Sequence, residues 1–227
     1  MALKCKKCGS EDIINAVITE DTIGEIVAVE YRCRHCENRC VFNLNKDEEE
    51  ETRRCSEYFD GWMNYILGID PGYANVGWAV ISQRHEHVEL VASGVIKTDA
   101  GMEEMHRYRV IDRNVWGIVS HYEPNIAVIE GLPPNKHQNK QTEIAGARGV
   151  ILDVLAFWDI RCNGITLVEI SPTEVKKLIT GKGQASKEKI GEYVKLLLGL
   201  DEPLKPDHAS DAAACALAYL IKEGVLK

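Results

Sequence analysis

At 227 residues and 45% hydrophobic composition, the chain is long enough for one ordinary domain and a small extra module. Its net charge of −8 argues against a generally basic nucleic-acid binder, and no window of about 18 uninterrupted apolar residues offers a transmembrane helix. The opening "MALKCKKCGS" has no apolar signal-peptide core, so a cytoplasmic protein with no membrane partner is expected.

In chain order, residues 1–45 form a cysteine module. Six of the eight cysteines lie before Ser56, and only Cys162 and Cys215 follow. In a reducing compartment such clustering points to metal rather than to disulfides. Cys5-Lys-Lys-Cys8-Gly9 and Cys33-Arg-His-Cys36 are two C-x2-C units, each placing two thiolates on one tight turn. Four thiolates suit tetrahedral zinc. The segment between them reads as a strand hairpin, so Cys5, Cys8, Cys33 and Cys36 are read as a zinc ribbon with structural Zn²⁺. The gap exceeds the usual ~15–20 residues, which a longer hairpin absorbs. His35 and Cys40 are rival ligands, since Cys36 and Cys40 offer an alternative second pair.

Residues 46–61 hold three Lys/Arg and seven Asp/Glu, a net −4 that begins with the run Asp47 to Glu51. Like charges in a block repel and stay solvated, so a charged linker is expected, with the polar face of a short helix as the alternative. Residues 62–227 read as a third, α/β region. "YILGID" and "VGWAVIS" are strands around a turn at Pro71–Asn75, and "HVELVASGVIK" is a third strand. A helix is expected over about 102–122, then a buried strand in "PNIAVIEG", a polar loop "LPPNKHQNKQ" and a helix from Thr142. "GITLVEI" is a fifth strand, and "SPTEVKKLI" starts a helix with Ser-Pro. Two more helices, "SKEKIGEYVKLLLGL" and "DHASDAAACALAYLIKEG", complete the chain. Three meandering strands followed by strand–helix alternation imply a mixed five-stranded sheet with flanking helices.

Three carboxylates fall where carboxylates are costly. Asp70 ends one buried strand, Glu130 ends another, and Asp211 lies near the start of a small-residue helix, one turn after Asp207 and His208. Convergent carboxylates repel one another, and divalent cations relieve that repulsion. Two such ions about 3.5–4 Å apart can drive phosphodiester hydrolysis. Each acid also has an ordinary reading: Asp70 as a turn residue, Glu130 as a surface charge, Asp207 and Asp211 as helix N-terminal acids. Residues 174–195 carry six Lys against three Glu, a locally basic face suited to phosphate.

From about residue 64 onward the sequence resembles the RuvC family of Holliday-junction resolvases, in the ribonuclease H-like superfold. "ILGIDPGYANVGWAVI", "IAVIEG", "AGARGVIL", "SPTEVKKLITGKGQASKEKI" and "DHASDAAACALAY" match family segments in the expected order. The resemblance implies catalytic, Mg²⁺- or Mn²⁺-binding positions at Asp70, Glu130, His208 and Asp211, with two ions per site. His208 stands where the family carries Asp or His. Lys176 and Lys187 match family lysines beside the cleaved strand, and ordinary solvated lysine is their alternative. Lys136, Lys140 and Lys182 are further candidates for DNA contact. The implied partners are a four-way DNA junction, a second copy of the chain and a branch-migration helicase, at the nucleoid. The chain departs from the family by its zinc module and linker. It also has "GLPPNK" where a well-studied branch places an aromatic wedge; that position falls near Pro133.

The expected activity is symmetric, metal-dependent nicking of four-way junctions. A less selective nuclease of the same fold, acting on branched DNA or RNA–DNA hybrids, is the alternative. "GIDPG" also resembles the first phosphate loop of actin-like ATPases, but no second nucleotide-binding lobe follows Asp211. A catalytically inactive zinc-ribbon nucleic-acid-binding module would be favoured only if the acids were missing.

Overall fold

The computed structural model describes residues 13–20, 26–33, 39–43, 63–132, 138–159 and 164–226. The chain divides into two compact units, Met1–Trp62 and Met63–Lys227. In the first, β1 (Ile13–Glu20), β2 (Ile26–Cys33) and β3 (Arg39–Asn43) form an antiparallel sheet in the order β1-β2-β3. The expected hairpin is β1–β2; β3 is an additional strand, pairing Cys40 with Tyr31. Cys5, Cys8, Cys36 and the charged stretch 46–61 lie outside the described residues.

The second unit is built on β4 (Asn64–Asp70), β5 (Asn75–Arg84), β6 (His87–Lys97), β7 (Ile126–Glu130) and β8 (Thr166–Ile170). Their order is β6-β5-β4-β7-β8. β4, β5 and β6 meander antiparallel, whereas β7 and β8 run parallel to β4. This is the mixed five-stranded sheet of a ribonuclease H-like fold. Five helices flank it: α1 (Glu104–Tyr122), α2 (Gln138–Trp158), α3 (Pro172–Thr180), α4 (Lys187–Leu197) and α5 (Asp207–Lys222). Helix α2 begins at Gln138, four residues before the start expected from the apolar pattern. Ser171 caps α3 as read, its hydroxyl accepting from the Glu174 amide at 3.2 Å with Pro172 at the first helical position.

Both faces of the sheet are covered, which explains the unbroken apolar run in β4. Leu67, Ile69, Val80, Ala127 and Ile129 face Ile111, Val115, Ile151 and Leu155 of α1 and α2. Ile66, Ala79, Ile81 and Val128 face Val175, Ile190 and Leu217 of α3, α4 and α5. Truncating any one of the buried leucines or isoleucines among these to alanine would cost roughly 2–5 kcal/mol. Alternation along the strand sends neighbours to opposite cores. Among the described residues, no helix is long and apolar enough to cross a membrane.

Candidate metal-dependent active site

Parallel pairing aligns the acidic strand ends. Ile69 sits opposite Ile129, so Asp70 and Glu130, one residue further on, emerge side by side at the same edge. Helix α5 brings the other two groups. It is rich in alanine, and a Cβ at Gly68 or Gly77 would overlap the Ala212 or His208 carbonyl. Small residues on both sides thus let the helix backbone lie directly on β4 and β5. Gly77 is paired with Asp70, so His208 comes to rest beside that aspartate. His208 Nδ1 is 2.8 Å from Asp70 Oδ2. Asp211, three residues along the helix, shares its face. One ligand atom from each of Asp70, His208 and Asp211 can be chosen so that all lie within 4.8 Å of one another.

These groups open into a cleft of about 580 Å³, whose wall includes Glu130, Lys176 and Lys187. Lys187 Nζ donates to Asp211 Oδ2 at 2.6 Å, and that bond raises the lysine's pKa. Burial, then the charges of Asp70 and Asp211, push Glu130 up from 4.5 to about 7; Lys187 and Lys176 offset this only in part. The hydrogen bond to Asp70 likewise raises the His208 pKa, partial burial opposing it. Beneath them the Cys215 thiol is fully buried and pushed up by burial, then by the same carboxylates. The Glu130 shift reflects burial first and the neighbouring negative charge second, and a bound cation would relieve the latter. Two carboxylates and an imidazole in reach of one point, with a third carboxyl on the wall, fit a hard divalent cation.

Of the four acids and ligands read from the sequence, three converge on one ion's reach, and Glu130 lines the same cleft. Lys176 and Lys187 also line it; Lys182 is exposed just beyond α3 and does not. Asp207 is exposed and outside the three-ligand group. Lys136 and the Lys140 side chain lie outside the described residues. Two cleft residues escape sequence reading, Tyr73 in the β4–β5 turn and Glu143 in α2. Glu143 carries no local signal distinguishing it from a solvated helix acid. Tyr73 follows Asp-Pro-Gly so closely that its placement on the wall was open to inference.

Residues 66–219 match the family model described as "Crossover junction endodeoxyribonuclease RuvC". The chain belongs to this family. It is 33% identical over 162 residues to the crossover junction endodeoxyribonuclease RuvC of Caldanaerobacter subterraneus subsp. tengcongensis, a match covering 71% of this chain and 95% of that relative. The Treponema denticola RuvC is 38% identical over 155 residues, 68% of this chain and 84% of the relative. The fold also resembles the structure of Thermus thermophilus RuvC, with TM-score 0.63 and 25% identity, covering 71% of this chain and 97% of the other. The T. thermophilus RuvC complex with a Holliday junction substrate gives TM-score 0.64 and 25% identity, covering 70% and 94%.

Proposed function

We propose that the chain resolves four-way (Holliday) DNA junctions by paired, symmetric nicks, as a metal-dependent endonuclease of the RuvC type. The observation that carries this is the meeting of Asp70, His208 and Asp211 in the lining of a cleft that also holds Glu130 and two lysines, within a RuvC-family fold. When bound, a divalent cation, Mg²⁺ or Mn²⁺, would supply an activated water and stabilise the leaving oxygen of a phosphodiester. Asp70, His208 and Asp211 would hold it, and Glu130, beside Asp70, would offer a carboxylate to a second position. Lys187 and Lys176 direct positive charge into the cleft, where phosphate oxygens gain charge during cleavage. Lys136, Lys140 and Lys182 are the further DNA contacts in this reading.

Symmetric nicking calls for two active sites, so a homodimer is part of the reading. It is supported by a groove between α1 and α2, of about 470 Å³, with Gly146 and Gly149 in its lining beside Met105 and Val150. The small residues Ala145, Gly146, Ala147 and Gly149 of α2 are read as permitting close packing of two copies, but Ala147 is buried in the chain's own core and takes no part. A branch-migration helicase is the expected further partner, in the cytoplasm.

The N-terminal unit is read as a zinc ribbon that adds a nucleic-acid or protein contact. Its strand register supports this: Ile13, five residues after Cys8, pairs with Cys33, the last residue of β2. Both C-x2-C units therefore adjoin the same end of the sheet in sequence, while Cys40 falls inside β3. Cys5, Cys8, Cys33 and Cys36 are the zinc ligands in this reading.

A less selective nuclease is the second reading, favoured by the proline-rich segment where an aromatic wedge would open the junction. A labelled four-way junction incubated with Mg²⁺ separates the two. Paired nicks at symmetric positions support resolution; equal cleavage of flaps and RNA–DNA hybrids supports the broader activity.

A further inference from the structure

Arg107 lies near the start of α1 yet is only 9% exposed. Its guanidinium carbon stands 3.6 Å from the centre of the Tyr73 ring, a stacked cation–π contact. Its Nε donates to Thr98 Oγ1 at 2.9 Å. That hydroxyl donates in turn to the Tyr73 carbonyl at 2.6 Å, and the Thr98 amide donates to the Ala74 carbonyl at 3.0 Å. One guanidinium therefore grips Tyr73 twice, on its ring directly and on its backbone through Thr98. Tyr108, the next residue of α1, adds a ring 5.6 Å from that of Tyr73 and donates its hydroxyl to Glu104 at 2.8 Å.

The grip falls where the sheet stops helping. Asp70 is the last residue of β4 and β5 begins at Asn75, so residues 71–74 leave the ladder. All four line the catalytic cleft. A segment this short has no core of its own, and its position passes directly to the Asp70 backbone. The contacts on it come from Thr98, after β6, and from α1, on the far side of the sheet from α5. Asp70 is thus set between α5, which brings His208 and Asp211, and a turn anchored from the opposite layer.

We infer that Arg107 and Tyr73 are positioning residues for hydrolysis: with Thr98 they fix the 71–74 turn, and so hold the Asp70 carboxylate where it shares a cation with His208 and Asp211. This rests on the reading of Asp70 as a metal ligand. Arginine suits the task because its flat guanidinium stacks and donates at once, which an ammonium cannot do. Groups that orient a metal ligand typically matter by about 10–100-fold in metal affinity or rate.

The test uses the full chain. Tyr73→Leu removes the ring face and Thr98→Val removes the hydroxyl link, while Tyr73→Phe keeps the ring and serves as the control. Mn²⁺ binding is measured by titration calorimetry without DNA, and single-turnover cleavage of a four-way junction is measured at saturating enzyme. Tyr73→Leu and Thr98→Val should each weaken Mn²⁺ binding and slow cleavage by about 10-fold or more, with junction Kd unchanged and Tyr73→Phe like wild type. Wild-type Mn²⁺ affinity in both folded variants overturns the inference, as does a loss that merely tracks the folded fraction by circular dichroism. If one variant fails to fold, the other decides; failure of both assigns the cluster to the core and overturns the positioning role. A wild-type chain that binds Mn²⁺ but leaves junctions intact overturns the nuclease reading instead, and the calorimetry still decides this one.

Discussion

His208 Nδ1 and Asp70 Oδ2, 138 residues apart in sequence, stand 2.8 Å apart and tie the first turn of α5 to the end of β4. Both side chains are candidate cation ligands, so proton and metal compete for them. The contact with Asp70 raises the His208 pKa above its ordinary 6.5. In the metal-free protein the imidazolium–carboxylate pair therefore stabilises the fold fully below pH 6.5, and that contribution is lost as pH rises through the higher folded value. Metal binding requires the opposite state.

At limiting Mg²⁺, cleavage should fall as pH drops through a midpoint above 6.5, and excess metal should move that midpoint down. An imidazole brings no negative charge, so Mn²⁺ should support higher activity than Mg²⁺. His208→Asp should stay active and shift its preference toward Mg²⁺. If His208→Ala cleaves like wild type in both metals across this pH range, the histidine is not a ligand.

Glu130 predicts a conflict between stability and activity. Its pKa rises from 4.5 to about 7 on folding, so ionisation works against the metal-free fold. The favourable contribution of its neutral form is complete below pH 4.5 and lost as pH climbs through 7. Glu130→Gln removes that penalty. In metal-free buffer at pH 8 it should stabilise the protein by up to about 3 kcal/mol, with the difference vanishing near pH 4. Cleavage should meanwhile fall by at least ~10²-fold. Thermal unfolding at the two pH values checks the first claim; an unchanged or lower Tm at pH 8 contradicts it.

The close seat of α5 on the sheet predicts an unusually costly methyl group. Gly77→Ala places a Cβ into the His208 carbonyl, where only backbone movement makes room. Overpacking of this kind costs typically ~1–3 kcal/mol. The displaced helix also carries His208 and Asp211 away from Asp70, so activity should fall more than the folded fraction does. Unfolding and cleavage measured on the same sample check this; wild-type values for both would show that the helix shifts freely.

The strands and helices of the nuclease unit were legible because each carries a strong period or a plain terminus signal. β4 shows a continuous apolar run, α3 has Ser171-Pro172, and α5 has an alanine-rich face. Asp70, Glu130 and Asp211 stood out by their places at strand and helix ends, each with an ordinary reading beside it, and His208 entered only through the family resemblance. What failed was weakly patterned. β3 is five residues long in a segment read for its cysteines, and the first turn of α2, Gln138 to Gln141, is polar and lacks apolar spacing. The Arg107–Tyr73 stack was invisible for another reason. Nothing in "MHRYRV" tells a buried guanidinium from a solvated one; only the fold brings it under the turn after Asp70.

The zinc reading predicts one tightly bound Zn²⁺ per chain, lost on Cys5→Ser or Cys33→Ser and retained on Cys40→Ser. A chain beginning at Met63 should keep the circular dichroism and Tm of the nuclease unit, because each unit has its own strands. Elemental analysis of the purified protein decides the metal. Zinc retained by Cys33→Ser but lost by Cys40→Ser would move the site to the Cys36–Cys40 pair.

The most direct measurement compares wild type with Asp70→Asn on a labelled four-way junction, reading binding and cleavage together in Mg²⁺ and Mn²⁺. Asparagine keeps the shape of the side chain and removes the charge on which the cation depends. The expected result is paired, symmetric nicking by wild type and a loss of at least ~10²-fold in Asp70→Asn, with junction affinity retained. Near wild-type cleavage by Asp70→Asn, or no junction cleavage by wild type in either metal, would contradict the assignment of this cleft as the resolving site.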